Sequence, residues 1–345
     1  MTGLPPAVPQ IVSMIPDNKD LYRLLEARIG RLHLKQRLGL EADNERHTLI
    51  NRRNYFHLEN WYAAHFLIRT ALRVSLLHER ARRNALNIQL RYHEFQIPHL
   101  PEAFEGFSIL QISDPHFDMN ADFPHALIER VQDLDYDLCV LTGDFRFEVF
   151  GPIDKALAGL EHVRPRLKDP VYAILGNHDS IRMVPGMEEM GVRMLLNESV
   201  PLTRGDATIH LVGIDDPHFY RTDNIDRACA GVNHNEVSIL LSHSPEVYKH
   251  AAHADFDLML CGHTHGGQIC LPNGIPIIYD APCPRKLAKG PWTYHQLQGY
   301  TSVGAGSSIV DLRLNCPPEV TLHTLRRGST TADNSAIRTA FESRA

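Results

Sequence analysis

The chain has 345 residues, 43% hydrophobic and 22% charged, which is the composition of an ordinary globular protein with length enough for one large domain and an appendage, or two domains. Its formal net charge of -6 leaves no overall basic footprint for nucleic acid. The first residues, MTGLPPAVPQIVSMIPDN, lack the positive segment and apolar run of a cleaved secretion signal, and no charge-free run reaches the ~18 residues of a membrane-spanning helix.

Six cysteines, at 139, 229, 261, 270, 283 and 316, include no CxxC pair. In a chain this size, that pattern predicts reduced, buried thiols in a cytosol-like compartment.

Residues 1–16 are proline-rich and read as extended. Asp17 can cap a helix on which Leu21, Leu24, Leu25, Ile29 and Leu32 recur at helical spacing, and polar residues then intervene up to about Asn60. The stretch 61–83 starts WYAAHFLIRTALRVSLL and predicts an amphipathic helix. On it, His65, Arg69, Arg73, Arg80 and Arg83 gather along one side, with apolar residues over the rest. Two readings stay open: a helix in a membrane interface, giving peripheral contact, or a helix packed on the following domain with its arginines solvated. The period changes after Asn84, where Leu86, Ile88, Leu90, Tyr92 and Phe95 suggest a strand, so the boundary is placed near residue 85. The divisions are then 1–85 (helical extension), 86–326 (catalytic domain) and 327–345 (a Ser/Thr-rich tail expected to be disordered).

Within the second division, strands are expected at 108–113, 138–142, 171–175, 208–214, 237–242, 258–261, 300–303 and 320–325. Helices are expected at 125–134 and 153–163, and Ser244-Pro245 marks a further helix start. The alternation predicts an α/β domain, whose ligand sites collect beyond the carboxyl ends of strands.

Five polar clusters fall at such ends: Asp114-Pro115-His116, Gly143-Asp144-Phe145-Arg146, Gly176-Asn177-His178-Asp179, His243, and His263-Thr264-His265. Each alone has a plain alternative, such as a turn pair, an Asn cap or a core histidine bonded to a carbonyl. Chance gives no reason for all five to sit at strand ends. Carboxylates, one amide and imidazoles, without thiolate, suit Mn, Fe or Zn in a hydrolytic site. The donors outnumber the needs of one ion, and a carboxylate such as Asp144 can bridge two. No GxSxG elbow and no GxxxxGK[ST] loop occurs.

DPH, GD, GNHD, a lone His and GHTH, in this order, resemble the calcineurin-like metallophosphoesterases. The full string GHTHGGQ and the ending from Gly304 to Val320 resemble the bacterial branch of membrane-associated phosphodiesterases and UDP-2,3-diacylglucosamine hydrolases. The resemblance covers roughly residues 88–326. It implies a two-sheet sandwich flanked by helices, with Asp114, His116 and His265 on one metal, Asn177, His243 and His263 on a second, and Asp144 bridging. It further implies cleavage of a phosphodiester or pyrophosphate bond by a hydroxide held between two divalent ions, with His178 as the catalytic histidine and Asp179 orienting it. Arg146 departs from the usual pattern; a bidentate phosphate contact, a salt bridge with Glu148 and a solvated loop are all open to it. His125 and His218 read as structural or rim residues.

If the 61–83 helix lies on the inner face of a membrane, that helix and the branch resemblance together make a lipid-linked sugar nucleotide such as UDP-2,3-diacylglucosamine the leading candidate substrate. A soluble cyclic-nucleotide or general phosphodiesterase is the runner-up. A metal-binding scaffold without turnover is the alternative from another class. The acidic balance argues against a nuclease.

Overall fold

The structure is a computed structural model that describes residues 19–50, 68–70, 72–276 and 281–328. The helices are α1 (Lys19–Ile29), α2 (Arg31–Ile50), α3 (His78–Ala85), α4 (Phe123–Val131), α5 (Asp154–Val163), α6 (Val184–Glu189), α7 (Ile225–Ala228) and α8 (Tyr248–His253).

Two six-stranded sheets make the frame. The first orders β1 (Gln89–Ile97), β14 (Glu319–Arg327), β2 (Ser108–Ile112), β3 (Leu138–Leu141), β4 (Val171–Ala173) and β5 (Val192–Met194). The second orders β12 (Gly290–Tyr294), β13 (Leu297–Thr301), β9 (Leu258–Cys261), β8 (Ser238–Leu241), β7 (Ala207–Gly213) and β6 (Glu198–Arg204). A short antiparallel pair, β10 (Cys270–Leu271) and β11 (Ile275–Pro276), stands apart.

The central strands β2, β3 and β4 run parallel, as do β7, β8 and β9. Their sequences explain this burial: SILQI, LCVL, SILL and LMLC are apolar at nearly every position, as strands covered on both faces must be. Alternate side chains go to opposite layers. Ile109, Leu138 and Val140 meet Ile209, Ile239 and Leu258 between the sheets. Leu110, Cys139 and Leu141 face outward under α4 and α5. On the other side, Val212, Leu240 and Met259 face Tyr248 and Ala251 of α8. The result is the expected two-sheet sandwich flanked by helices. Cys139, Cys261, Cys270 and Cys316 are buried, Cys229 and Cys283 partly so, and all six are free thiols.

The N-terminal region departs from the expectation. Gly30, with φ +83°, ends α1, and α2 then continues for 20 residues through a stretch read from sequence only as polar. Leu25 and Ile29 enter the core, whereas Leu24 and Leu32 are 71% and 81% exposed. Within α1, Leu25 and Ile29, four apart, share the buried face while Leu24 falls on the solvent side, and the turn at Gly30 then breaks the period before Leu32. The 61–83 helix is not continuous: helical residues 68–70 and 72–74 are separated from α3 by a turn in which Leu76 has φ +59°. Residues 61–67, with Trp61 and His65, lie outside the described residues, as do 1–18, 51–60 and 329–345.

Candidate metal centre

Every cluster sits just past the carboxyl end of a parallel strand: Asp114 and His116 after β2, Asp144 after β3, Asn177 and His178 after β4, His243 after β8, His263 and His265 after β9. Because β2–β4 and β7–β9 are packed face to face, their ends bring residues 150 positions apart into one place. The backbone must turn sharply there. Asp114, His116, Asp144, His263 and His265 all have φ between 43° and 71°, a region side chains occupy only when the surroundings over-determine it. Close approach is also required: a Cβ on Gly262 would collide with the Ser113 hydroxyl and the Asp114 carboxylate, and one on Gly176 with the Asp144 carboxylate.

Two groups of ligand atoms result. Asp114, His116 and His265 converge, and so do Asp144, His243 and His263, with atoms within 4.8 Å of one another in each group. All six residues are buried. Asn177 adjoins the second group, its Oδ1 3.0 Å from His243 Nε2. Asp144 Oδ2 lies 3.2 Å from His243 Nε2, 3.8 Å from His116 Nε2 and 3.9 Å from His178 Nε2, so this one carboxylate faces both groups.

The donor arrangement fits divalent cations. His116 Nδ1 lies 2.8 Å from the Arg146 carbonyl and His243 Nδ1 2.8 Å from the Thr142 carbonyl. Each carbonyl can only accept, so Nδ1 carries the proton and Nε2 presents a lone pair. The lone pair of His243 points at two acceptors, Asn177 Oδ1 and Asp144 Oδ2. His116 Nε2 faces His265 Nε2 at 3.1 Å, and because His265 Nδ1 accepts from Arg313 Nη2 at 2.9 Å, the Nε2 of His265 is the donor of this pair. His263 Nε2 is buried with no hydrogen-bond partner. The acceptors around His243 Nε2 and the unpartnered His263 Nε2, all buried, require positive charge among them.

The protonation balance carries the same message. Burial pushes Asp144 upward, but the His243, His178 and His116 imidazoles outweigh it and hold its carboxyl well below the usual range. Burial opposes a charge on His243, yet Asp144 and Asp114 raise it to about 10, so in the ion-free chain a second proton on Nε2 meets the demand for positive charge that a cation would otherwise meet. Burial lowers His116 to about 4 and depresses His263 and His265, keeping these imidazoles neutral and able to act as ligands.

Two sequence expectations are revised. Asp179 does not orient the His178 ring. Its carboxylate accepts the backbone N–H groups of Asp144 (2.7 Å), Phe145 (2.8 Å), Arg146 (3.3 Å) and Gly176 (2.8 Å), tying the second and third motif loops together. His178 Nδ1 instead hydrogen-bonds the Phe147 carbonyl. Arg146 is neither solvated nor turned to a phosphate: it is 3% exposed, and its guanidinium donates to the carbonyls of His178, Val149 and Gly151. It orders the loop after Asp144.

His125 is exposed and paired with Glu129. His218 lies against His263, ring centroids 4.2 Å apart, and contacts Glu246. Sequence reasoning missed Arg313, fully buried behind His265 with donors to the carbonyls of His265, Val303 and Gly306. It also missed Arg37 and Glu41 of α2, which reach the third motif loop. No spacing pattern marks these residues.

The model of the calcineurin-like phosphoesterase family matches residues 107–267. An uncharacterized metallophosphoesterase of Bacillus subtilis (strain 168), YkoQ, is 31% identical over 231 residues, which is 64% of this chain and 84% of that one. Phosphodiesterase YaeI of Escherichia coli (strain K12) is 27% identical, across 63% of this chain and 81% of its own. YkuE of B. subtilis, another uncharacterized metallophosphoesterase, is 28% identical across 69% and 86%. The chain therefore belongs to the calcineurin-like metallophosphoesterases. It is a hydrolase of phosphoester bonds that depends on divalent metal, with two candidate ligand clusters for it.

Proposed function

We propose a dinuclear phosphohydrolase that cleaves a phosphodiester or pyrophosphate bond. Asp114, His116 and His265 would hold one ion, Asn177, His243 and His263 the other, and Asp144 both. The observation that carries this reading is the position of Asp144 Oδ2, which faces His243 of one group and His116 of the other. When bound, two such ions supply an activated water at neutral pH and positive charge opposite the phosphoryl oxygens. A donor set of oxygen and imidazole without thiolate favours Mn, with Fe or Zn as alternatives.

The chain's own groups supply the rest. His178, held through Nδ1 by the Phe147 carbonyl, presents Nε2 beside Asp144, where it can contact a phosphoryl oxygen or give a proton to the leaving oxygen. Asp179 and Arg146 hold the loops that carry Asp144 and His178. The glycines at 176 and 262 let the two ligand groups approach. A diester or pyrophosphate is favoured over a monoester because a relative bears the name phosphodiesterase.

We extend the reading to a lipid-linked substrate, of which UDP-2,3-diacylglucosamine is the leading candidate, met by a protein peripheral to the inner face of a membrane. In support, Val74 and Leu76 are 80% and 89% exposed, with Arg69, Arg73 and Arg80 exposed beside them in sequence. Apolar residues flanked by arginines suit an anionic lipid surface. The test is turnover by Mn-loaded protein of bis-p-nitrophenyl phosphate, soluble nucleoside diphosphate sugars and UDP-2,3-diacylglucosamine in detergent. Preference for the last supports the full reading. Turnover of soluble compounds alone makes it a soluble phosphodiesterase. Equal background rates for wild type, Asp144→Ala and His178→Ala make it a scaffold.

A further inference from the structure

Helix α2 lies outside the segment matched by the family model, yet it docks on the loop that carries Asn177 and His178. Arg37, fully buried, donates from Nη2 to the Asp179 carbonyl at 2.8 Å and from Nε to Glu41 Oε1 at 3.0 Å. Glu41, 5% exposed, accepts the backbone N–H of Ile181 at 2.7 Å through Oε1 and the Ser180 hydroxyl through Oε2. The guanidinium is steadied from its other side by Asp215, 3.5 Å away, and stacks over the Tyr220 ring at 3.5 Å. His33 of the same helix meets Asp215 at 2.8 Å. Leu34 packs in the cluster that also holds Ile181, Met183 and Val184.

We infer that α2 is part of the catalytic assembly, with Arg37 and Glu41 as positioning residues that set the 176–181 turn and through it Asn177 and His178. Between β4 and the 3₁₀ turn at Ile181–Met183, the internal backbone support of this turn is a long hydrogen bond, Asp179 N–H to the Gly176 carbonyl at 3.3 Å. Its inner side is held by the Asp179 carboxylate, which takes the N–H groups of Gly176 and the Asp144 loop. Its outer side offers the Asp179 carbonyl and the Ile181 N–H, and α2 supplies one donor and one acceptor, four residues apart on one helix face. Buried backbone groups that lose such partners move to find others. Asn177 Oδ1 lies 3.0 Å from His243 Nε2, so a small movement of the turn displaces it from the second ligand group while leaving Asp114, His116 and His265 in place.

The inference rests on the roles proposed above for Asn177 and His178, and its test separates the two. Arg37→Gln, Glu41→Gln and a packing control at the buried carboxyl end of α4, Val131→Ala, are made in the full chain. kcat and KM are measured on bis-p-nitrophenyl phosphate, Mn binding by equilibrium dialysis and Tm by calorimetry.

For Arg37→Gln and Glu41→Gln the expected result is kcat lower by about tenfold to a hundredfold with KM changed by less than about twofold. The second Mn should bind about tenfold more weakly while the first binds as in wild type. Val131→Ala should lower Tm and leave kcat and both Mn affinities unchanged. Wild-type kcat and wild-type second-Mn affinity in both polar variants would overturn the inference. So would loss of kcat in Val131→Ala in step with its Tm. Should Arg37→Gln fail to fold, Glu41→Gln decides. If wild type hydrolyses no phosphoester, the proposed function fails, and the Mn isotherms still decide this inference.

Discussion

Asp215→Asn isolates the charge that α2 brings into the protein. Asp215 is fully buried and makes four contacts: Arg37 Nη1 at 3.5 Å, His33 Nε2 at 2.8 Å, the Thr222 hydroxyl at 2.8 Å and the Asp216 N–H at 2.8 Å. The amide keeps the shape and removes the negative charge, so Arg37 is left with Glu41 as its remaining acidic partner. At 3.5 Å and an effective dielectric of 20, the lost attraction to Arg37 is about 5 kcal/mol, the size found for breaking buried pairs by removing one partner. Glu41 offsets part of it, so about 3 kcal/mol is expected from urea unfolding at pH 7.

The pH dependence follows from the direction of the shift. Burial pushes Asp215 upward, but Arg37 and then His33 outweigh it and hold its carboxyl far below the usual range. A depressed folded pKa stabilises above the unfolded value of about 3.9, and that stability is lost as pH falls from there toward the folded value. The gap between wild type and variant should thus be full at pH 5–7 and narrow below about pH 4. A loss under about 1 kcal/mol at pH 7 would mean that the Arg37–Asp215 pair is screened like a surface pair, and the reasoning would be wrong.

Other outcomes follow from the centre itself. Asp144→Asn should lower the rate on bis-p-nitrophenyl phosphate by about a thousandfold or more, with less than two Mn retained per chain by elemental analysis; full activity would remove Asp144 from its shared role. His178→Gln should lower kcat by about a hundredfold to ten-thousandfold with Mn content unchanged, because its Nε2 faces the site without belonging to either ligand group. Chelation should abolish turnover and lower Tm, and added Mn should restore both, since ions that bind the folded chain alone stabilise it; a Tm indifferent to chelator would contradict the charge argument made for His243 and Asp144. Gly262→Ala should destabilise the fold and disturb the first ligand group together, as its Cβ meets Ser113 and Asp114, and would count against the close-approach argument if it behaved as wild type in both melting and Mn binding.

Much of this protein is written in short stretches of sequence. Apolar runs such as LCVL and LMLC, each followed within two residues by glycine and then by aspartate or histidine, state a buried strand, a sharp turn and a polar tip within a few residues. The layered α/β order and the positions of Asp114, Asp144, Asn177, His243 and His263 could be read this way because strand period and turn chemistry are local properties. Tertiary structure alone decided what those tips touch. Arg146 sits where a phosphate ligand would be expected, yet three carbonyls of its own and a neighbouring loop claim its guanidinium. Asp179 follows His178 directly but serves four backbone N–H groups. Arg37 and Glu41 lie some 140 residues from the turn they hold, on a helix with no sequence sign of function. A hydrogen bond depends on where two chain segments meet, and that is set by the packing of whole layers, which no residue spacing records.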